Sequence, residues 1–206
     1  MIKIYRAGEI AREEILKRNN LPDLKKAEEA AAEIIAEVRK NGDRAVKFYT
    51  EKFDHAKLDD LKVTEEEIEK AYLEVGEYFI RTLREAAANI REFHSRQKRD
   101  GFSYTRPDGT RLGQRVMPIA RAGVYVPGGT AAYPSTVLMD VIPAVVAGVK
   151  EIAMVTPPGR DGRIKPEILA AARIAGVGEI YKAGGAQAIA ALAYGTESIK
   201  RVDKIV

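Results

Sequence analysis

From Arg121 to Val206 short apolar runs alternate with helical stretches, and this alternation constrains the fold more than any other feature of the chain. The apolar runs are Gly123–Val126, Glu151–Val155, Glu179–Lys182 and Lys204–Val206. Helical patterns lie between them at Ser135–Ala147, Lys165–Ala175 and Ala186–Tyr194. A β-α-β-α-β-α-β order predicts a parallel sheet covered by helices on both faces. Each crossover is expected to be right-handed.

Two of the runs end in glycine turns. Val124-Tyr125-Val126 leads into Pro127-Gly128-Gly129, and Glu179–Lys182 leads into Ala183-Gly184-Gly185-Ala186-Gln187. A strand, a glycine turn and a helix together place backbone N–H groups at the carboxyl edge of a sheet, where anionic ligands bind. Two such turns predict a crevice for a nucleotide or an extended polar substrate. Neither turn matches G-x-G-x-x-G, and no G-x-x-x-x-G-K-[ST] is present. Spacing alone therefore leaves open that the glycines only close tight turns.

The first hundred residues read as helical. Residues 21–40 carry Leu24, Ala27, Ala31, Ile34, Ile35 and Val38 at helical spacing, and Asn41-Gly42 stops the run. A short helix from Asp43 follows, with Val46, Phe48, Tyr49 and Phe53. Thr64-Glu65-Glu66-Glu67 is a capping box opening a long helix to about Lys98, kinked or divided at Gly76. Arg106-Pro107-Asp108-Gly109 is a turn signal, and it predicts a β-hairpin of Phe102–Thr105 with Arg111–Met117. The expected organisation is a helical region at 1–100, a hairpin connection at 101–120 and a partial Rossmann-like domain at 121–206.

Composition narrows the function classes. The 206 residues include 34 basic and 30 acidic side chains, a net charge of +4 spread along the chain. The basic run Arg91–Arg99 has no nucleic-acid-binding signature beside it and reads as the solvated end of a helix. Cysteine is absent, which excludes disulfides and thiolate metal sites and suits a cytoplasmic protein. The opening residues lack the pattern of a signal peptide. No window approaches the roughly 18 apolar residues that span a bilayer.

Few residues offer chemistry. His55 and His94 are the two histidines, and neither has a partner at metal-ligand spacing. Ser135 follows Pro134, where an N-cap role accounts for it. Asp140 lies in an apolar helix and is expected to form an ion pair or hydrogen bond at a helix or subunit contact. Tyr125 ends a strand, where open α/β sheets present ligand-binding side chains, and its phenol can stack on a ring while its hydroxyl hydrogen-bonds. Gln187 opens a helix, and its amide can both donate and accept. A core Tyr and a solvent-facing Gln are the ordinary readings of these two positions.

The wording of the chain is more specific than its spacing. VYVPGGTAAYPSTVLMDVIPAVVAGVKEIAMVTPP, followed by AGGAQAIAALAYGTESIKRVDKIV, closely resembles histidinol dehydrogenases. NGDRAVKFYTEKFD and the stretch through NIREFHSRQK resemble the N-terminal region of that family. The resemblance implies an aldehyde-dehydrogenase-like, Rossmann-like α/β fold. It implies a cytoplasmic, zinc-containing homodimer that oxidises L-histidinol to L-histidine through the aldehyde and reduces two NAD. By the same resemblance Tyr125 and Gln187 contact NAD, and no catalytic or metal-binding residue is assigned to this chain. The zinc ligands, the Glu-His pair that handles protons and a further NAD-contacting Asn, in Gly-Pro-Gly-Asn, are expected beyond Val206. The chain thus reads as an N-terminal portion, expected to be inactive alone, with no nucleic-acid or membrane partner. The alternative from a different class is a stand-alone nucleotide-binding or dimerisation module.

Overall fold

A computed structural model of the chain describes residues 5, 6, 8, 24–128 and 132–206. Gly129, the predicted helix start at 21–23 and most of the opening segment lie outside them. Residues 34–206 form one compact unit and residues 1–33 another.

Helix α1 (Leu24–Asp54) runs through the predicted break, where Gly42 has φ 52 and ψ −134. A side chain would be strained at that φ, and a Cβ on Gly42 would stand 2.1 Å from the Glu197 carboxylate, which would have to move aside. The same carboxylate accepts the Asp43 N–H at 2.7 Å, so the bend is fastened from outside the helix. Thr64 caps α2 (Glu65–Glu74) as predicted. Its hydroxyl accepts the Glu67 N–H at 3.2 Å, and the Glu67 carboxylate accepts the Thr64 N–H at 2.9 Å. Gly76 divides the long helical stretch and becomes the N-cap of α3 (Glu77–Ser95).

The hairpin is β1 (Phe102–Thr105) with β2 (Arg111–Gln114), in the register Phe102↔Gln114. Its second strand ends before the expected Met117, because the four residues of β1 offer no further partner. Gly109 turns at φ 84. The Thr110 N–H donates to the Asp108 carboxylate at 2.9 Å, which explains why Pro107-Asp108-Gly109 reverses the chain.

The α/β part follows as β3 (Arg121–Tyr125), α4 (Pro134–Ala147), β4 (Glu151–Thr156), α5 (Pro166–Ala175), β5 (Glu179–Lys182), α6 (Gly185–Tyr194) and β6 (Lys204–Ile205). The four strands are parallel in the order β5-β4-β3-β6. In chain order this is 3-2-1-4, the Rossmann order, with its reversal between β3 and β6. Side chains alternate across the sheet. Val124, Met154 and Ile180 join a core with α2, α3, α4 and α5. Ala153, Val155 and Tyr181 face the other way, against α1 and α6. The helix-covered faces explain why the strands read as continuous apolar runs. At the amino edge, Arg121 pairs with Glu151 at 2.7 Å and with Glu179, crossing three strands. No helix among the described residues is long and apolar enough to cross a membrane.

Candidate functional site

Ligands of open α/β sheets bind at the carboxyl ends of the strands, where the strand order reverses. Tyr125 is the last residue of β3, one of the two strands flanking that reversal. Its ring is partly buried against the α1–α6 side of the sheet. Its hydroxyl oxygen accepts the Gly185 N–H at 3.1 Å. Gly185 is the first residue of α6, so Tyr125 takes up one of the donors that a helix start leaves free. The two sequence-predicted positions thus lie on one sheet edge, joined through Gly185.

Gln187 is buried, with 1 % of its surface exposed, which overturns the solvent-facing reading of a polar residue at a helix start. Its side-chain oxygen is buried and has no hydrogen-bond partner among the described residues. Leaving such an acceptor unpaired costs about 1–3 kcal/mol. The surrounding glycines are required by space. A Cβ on Gly185, where φ is +60, would stand 2.8 Å from the Gln187 oxygen. A Cβ on Gly184 would stand 2.7 Å from Pro157 Cβ, and one on Gly128 2.4 Å from Pro157 Cγ. Pro157 therefore wedges between the two glycine turns and holds them at contact distance.

The same edge carries a cavity of about 540 Å³. Pro127 and Gly128 line it after β3, and Thr156, Pro157 and Pro158 line it around the end of β4. Phe53, Asp54 and His55 close it from the end of α1, while Arg160 and Lys165 stand on the side of α5. One carboxylate oxygen of Asp54 is buried with no partner among the described residues. Burial pushes the Asp54 carboxyl above the usual aspartate range, and the neighbouring His55 acts in the opposite sense. His55 adopts φ 57, the left-handed conformation that ends α1. The sequence offered His55 only as a lone histidine without a partner at metal-ligand spacing, and it did not single out Asp54.

The remaining candidates are not brought to this edge. His94 hydrogen-bonds Gln97 through Nδ1 at 2.7 Å near the end of α3. Ser135 is not the N-cap of α4. Pro134 takes the first helical position, which moves the cap to Tyr133 and leaves Ser135 exposed in the first turn. Asp140 forms no ion pair or hydrogen bond within the chain among the described residues. It is half-buried, and burial alone pushes its carboxyl up. Among the described residues no group of three or more His, Cys, Asp or Glu side chains is placed to hold a metal ion.

Known proteins resemble this chain in sequence and in fold. The family profile described as histidinol dehydrogenase matches residues 17–206. A histidinol dehydrogenase of Geobacillus kaustophilus is 60% identical over 176 residues, covering 85% of this chain and 42% of the relative. One from Bacillus subtilis is 58% identical over 172 residues, covering 84% and 40%. The crystal structure of histidinol dehydrogenase from Elizabethkingia anophelis superposes with a TM-score of 0.84 at 40% identity, covering 90% of this chain and 42% of that one. The chain thus spans less than half the length of the relatives it matches. With nearly its whole length covered by the family profile and its fold shared with a solved member, the chain belongs to the histidinol dehydrogenase family.

Proposed function

We propose that this chain carries the dinucleotide-binding part of a cytoplasmic enzyme that oxidises L-histidinol to L-histidine through the aldehyde, with NAD as the oxidant. The observation that carries the reading is Gln187. Its buried amide oxygen lacks a hydrogen-bond partner among the described residues, and it stands beside the Tyr125–Gly185 contact at the carboxyl edge. A hydroxyl or amide of a bound dinucleotide is the kind of donor that this oxygen lacks. Residues 121–206 are proposed to form the binding domain. Tyr125 would lay its ring against the ligand.

NAD, when bound, supplies hydride acceptance, and the protein supplies position. In this chain the positioning residues are Tyr125, Gln187 and the glycines around Pro157. Zinc is a property of the intact family by resemblance, and the described residues hold no ligand cluster for it. No role in proton transfer is assigned here, and the 206-residue chain alone is proposed not to turn histidinol over. Assembly into a homodimer is proposed for the longer enzyme.

The test is an NMR titration of the chain with NAD. Shifts of the Tyr125, Gly184, Gly185 and Gln187 amides are expected, attenuated in Tyr125→Ala and Gln187→Ala. In the longer enzyme both variants should raise the KM for NAD and leave zinc content unchanged. No shift at millimolar NAD, or shifts confined to another surface, would reject the reading.

A further inference from the structure

Resting on the NAD reading, we propose that Asp54 reads the ribose diol on the adenosine side of the dinucleotide and excludes a 2′-phosphate, so that it sets the preference for NAD over NADP. The cavity beside Pro157 has two unlike polar walls. The α1 wall presents Asp54 between Phe53 and His55, and the α5 wall presents Arg160 and Lys165. Between them Pro127, Pro157, Pro158, Ile164 and Ile168 form apolar surface suited to a flat ring. Pro157, which lines the cavity, also abuts Gly184, the residue before the Gly185 that bonds Tyr125, so the cavity lies beside the Tyr125–Gln187 edge. One ligand can therefore occupy both.

Each wall selects a part of that ligand. The cations and the N-terminus of α5 suit a diphosphate. A carboxylate with one buried oxygen unpartnered among the described residues suits a pair of hydroxyls, each of which donates to it. Dinucleotide folds use an acidic residue in this way on the ribose 2′-OH, although there it comes about 20 residues after the glycine-rich turn. Here it arrives from the far end of α1, fixed by the left-handed turn at His55. A 2′-phosphate in the same place would bring negative charge against the carboxylate, and the partly buried Asp54 has little room to withdraw.

The experiment compares NAD and NADP binding to the chain by NMR titration, for the unmodified protein, Asp54→Asn and Asp54→Ser. The unmodified chain should favour NAD by at least about tenfold, and both variants should bring the ratio near one, chiefly through lost NAD affinity in Asp54→Ser. In the unmodified chain NAD should also shift the Asp54 and His55 amides, a readout that needs no variant. If NAD shifts Gly185 and Gln187 but leaves Asp54 and His55 still, or if the ratio is unchanged in both variants, the role of Asp54 falls while the NAD reading stands. If NAD binds nowhere on this edge, the NAD reading falls and the role of Asp54 falls with it.

Discussion

The hydroxyl of Tyr125 accepts the Gly185 N–H at 3.1 Å and so ties the end of β3 to the start of α6. The bond holds a side chain from one strand against a helix that follows another, across the edge where strand order reverses. Tyr125→Phe removes the acceptor and keeps the ring. A loss of about 0.5–1.5 kcal/mol in unfolding free energy is expected, the usual net worth of one such bond. Urea denaturation measures it. The same variant should weaken NAD binding by less than Tyr125→Ala, because the stacking surface remains.

Gly185→Ala tests the glycine turn. The residue sits at φ +60, which costs an L side chain roughly 1–2 kcal/mol, and its new Cβ would press on the Gln187 oxygen. Gly176→Ala is the matched control, since Gly176 is also left-handed, at φ +89, but has open space around it. Denaturation should show Gly185→Ala to be the more damaging of the two. Equal losses would mean that the contact with Gln187 carries no weight.

The network at the amino edge predicts two limbs of a pH–stability curve. Burial disfavours the ionised Glu179, but hydrogen bonds from Arg121 and Tyr181 outweigh it and hold the carboxyl below the usual glutamate range. A depressed folded value contributes stability above about pH 4.3, and that contribution is lost as pH falls through the folded value. Arg121→Met should flatten this acid limb and cost roughly 1.5–3 kcal/mol at pH 7. Tyr181 behaves oppositely. Burial, then the bond to Glu179, pushes its phenol up to about 12. Its contribution is whole below about pH 10 and is lost as pH rises from there towards the folded value. Tyr181→Phe should remove that alkaline loss, as unfolding curves at pH 9 to 11.5 would register.

Thr64→Ala removes one half of the capping box of α2, whose Ala71 packs into the core shared with the sheet. Loss of such a cap costs about 1 kcal/mol. Thr64→Ser keeps the hydroxyl and should restore most of it. Calorimetry on the two variants would separate the cap from the lost methyl.

The elements were legible where the signal is local. The capping box at Thr64, the turn at Pro107-Asp108-Gly109 and the break at Gly42 each follow from a few adjacent residues. The carboxyl-edge position of Tyr125 was legible as well, because the strand ends where its apolar run meets Pro127-Gly128. The burial of Gln187 was not. It is decided by α1 and α6 packing on one sheet face, more than a hundred residues apart in the chain. The cavity escaped for the same reason, since Asp54 and His55 come from the end of α1 while Arg160 and Lys165 come from the approach to α5. Ser135 was misplaced by one local competition, in which Pro134 claimed the first helical position.

Gln187 finally separates stability from binding. Its oxygen is buried without a hydrogen-bond partner among the described residues, so the unpaired acceptor is a burden on the fold. Gln187→Met keeps the length of the side chain and removes the unpaired acceptor. Unfolding free energy should stay level or rise by up to about 1–2 kcal/mol, while NAD affinity falls by about tenfold or more. NAD should accordingly raise the Tm of the unmodified chain and leave that of the variant nearly still. The two effects have opposite sign, which a purely structural glutamine cannot produce. A variant that loses both stability and NAD binding would show that the amide is an ordinary part of the core and that the dinucleotide reaches this edge by other contacts.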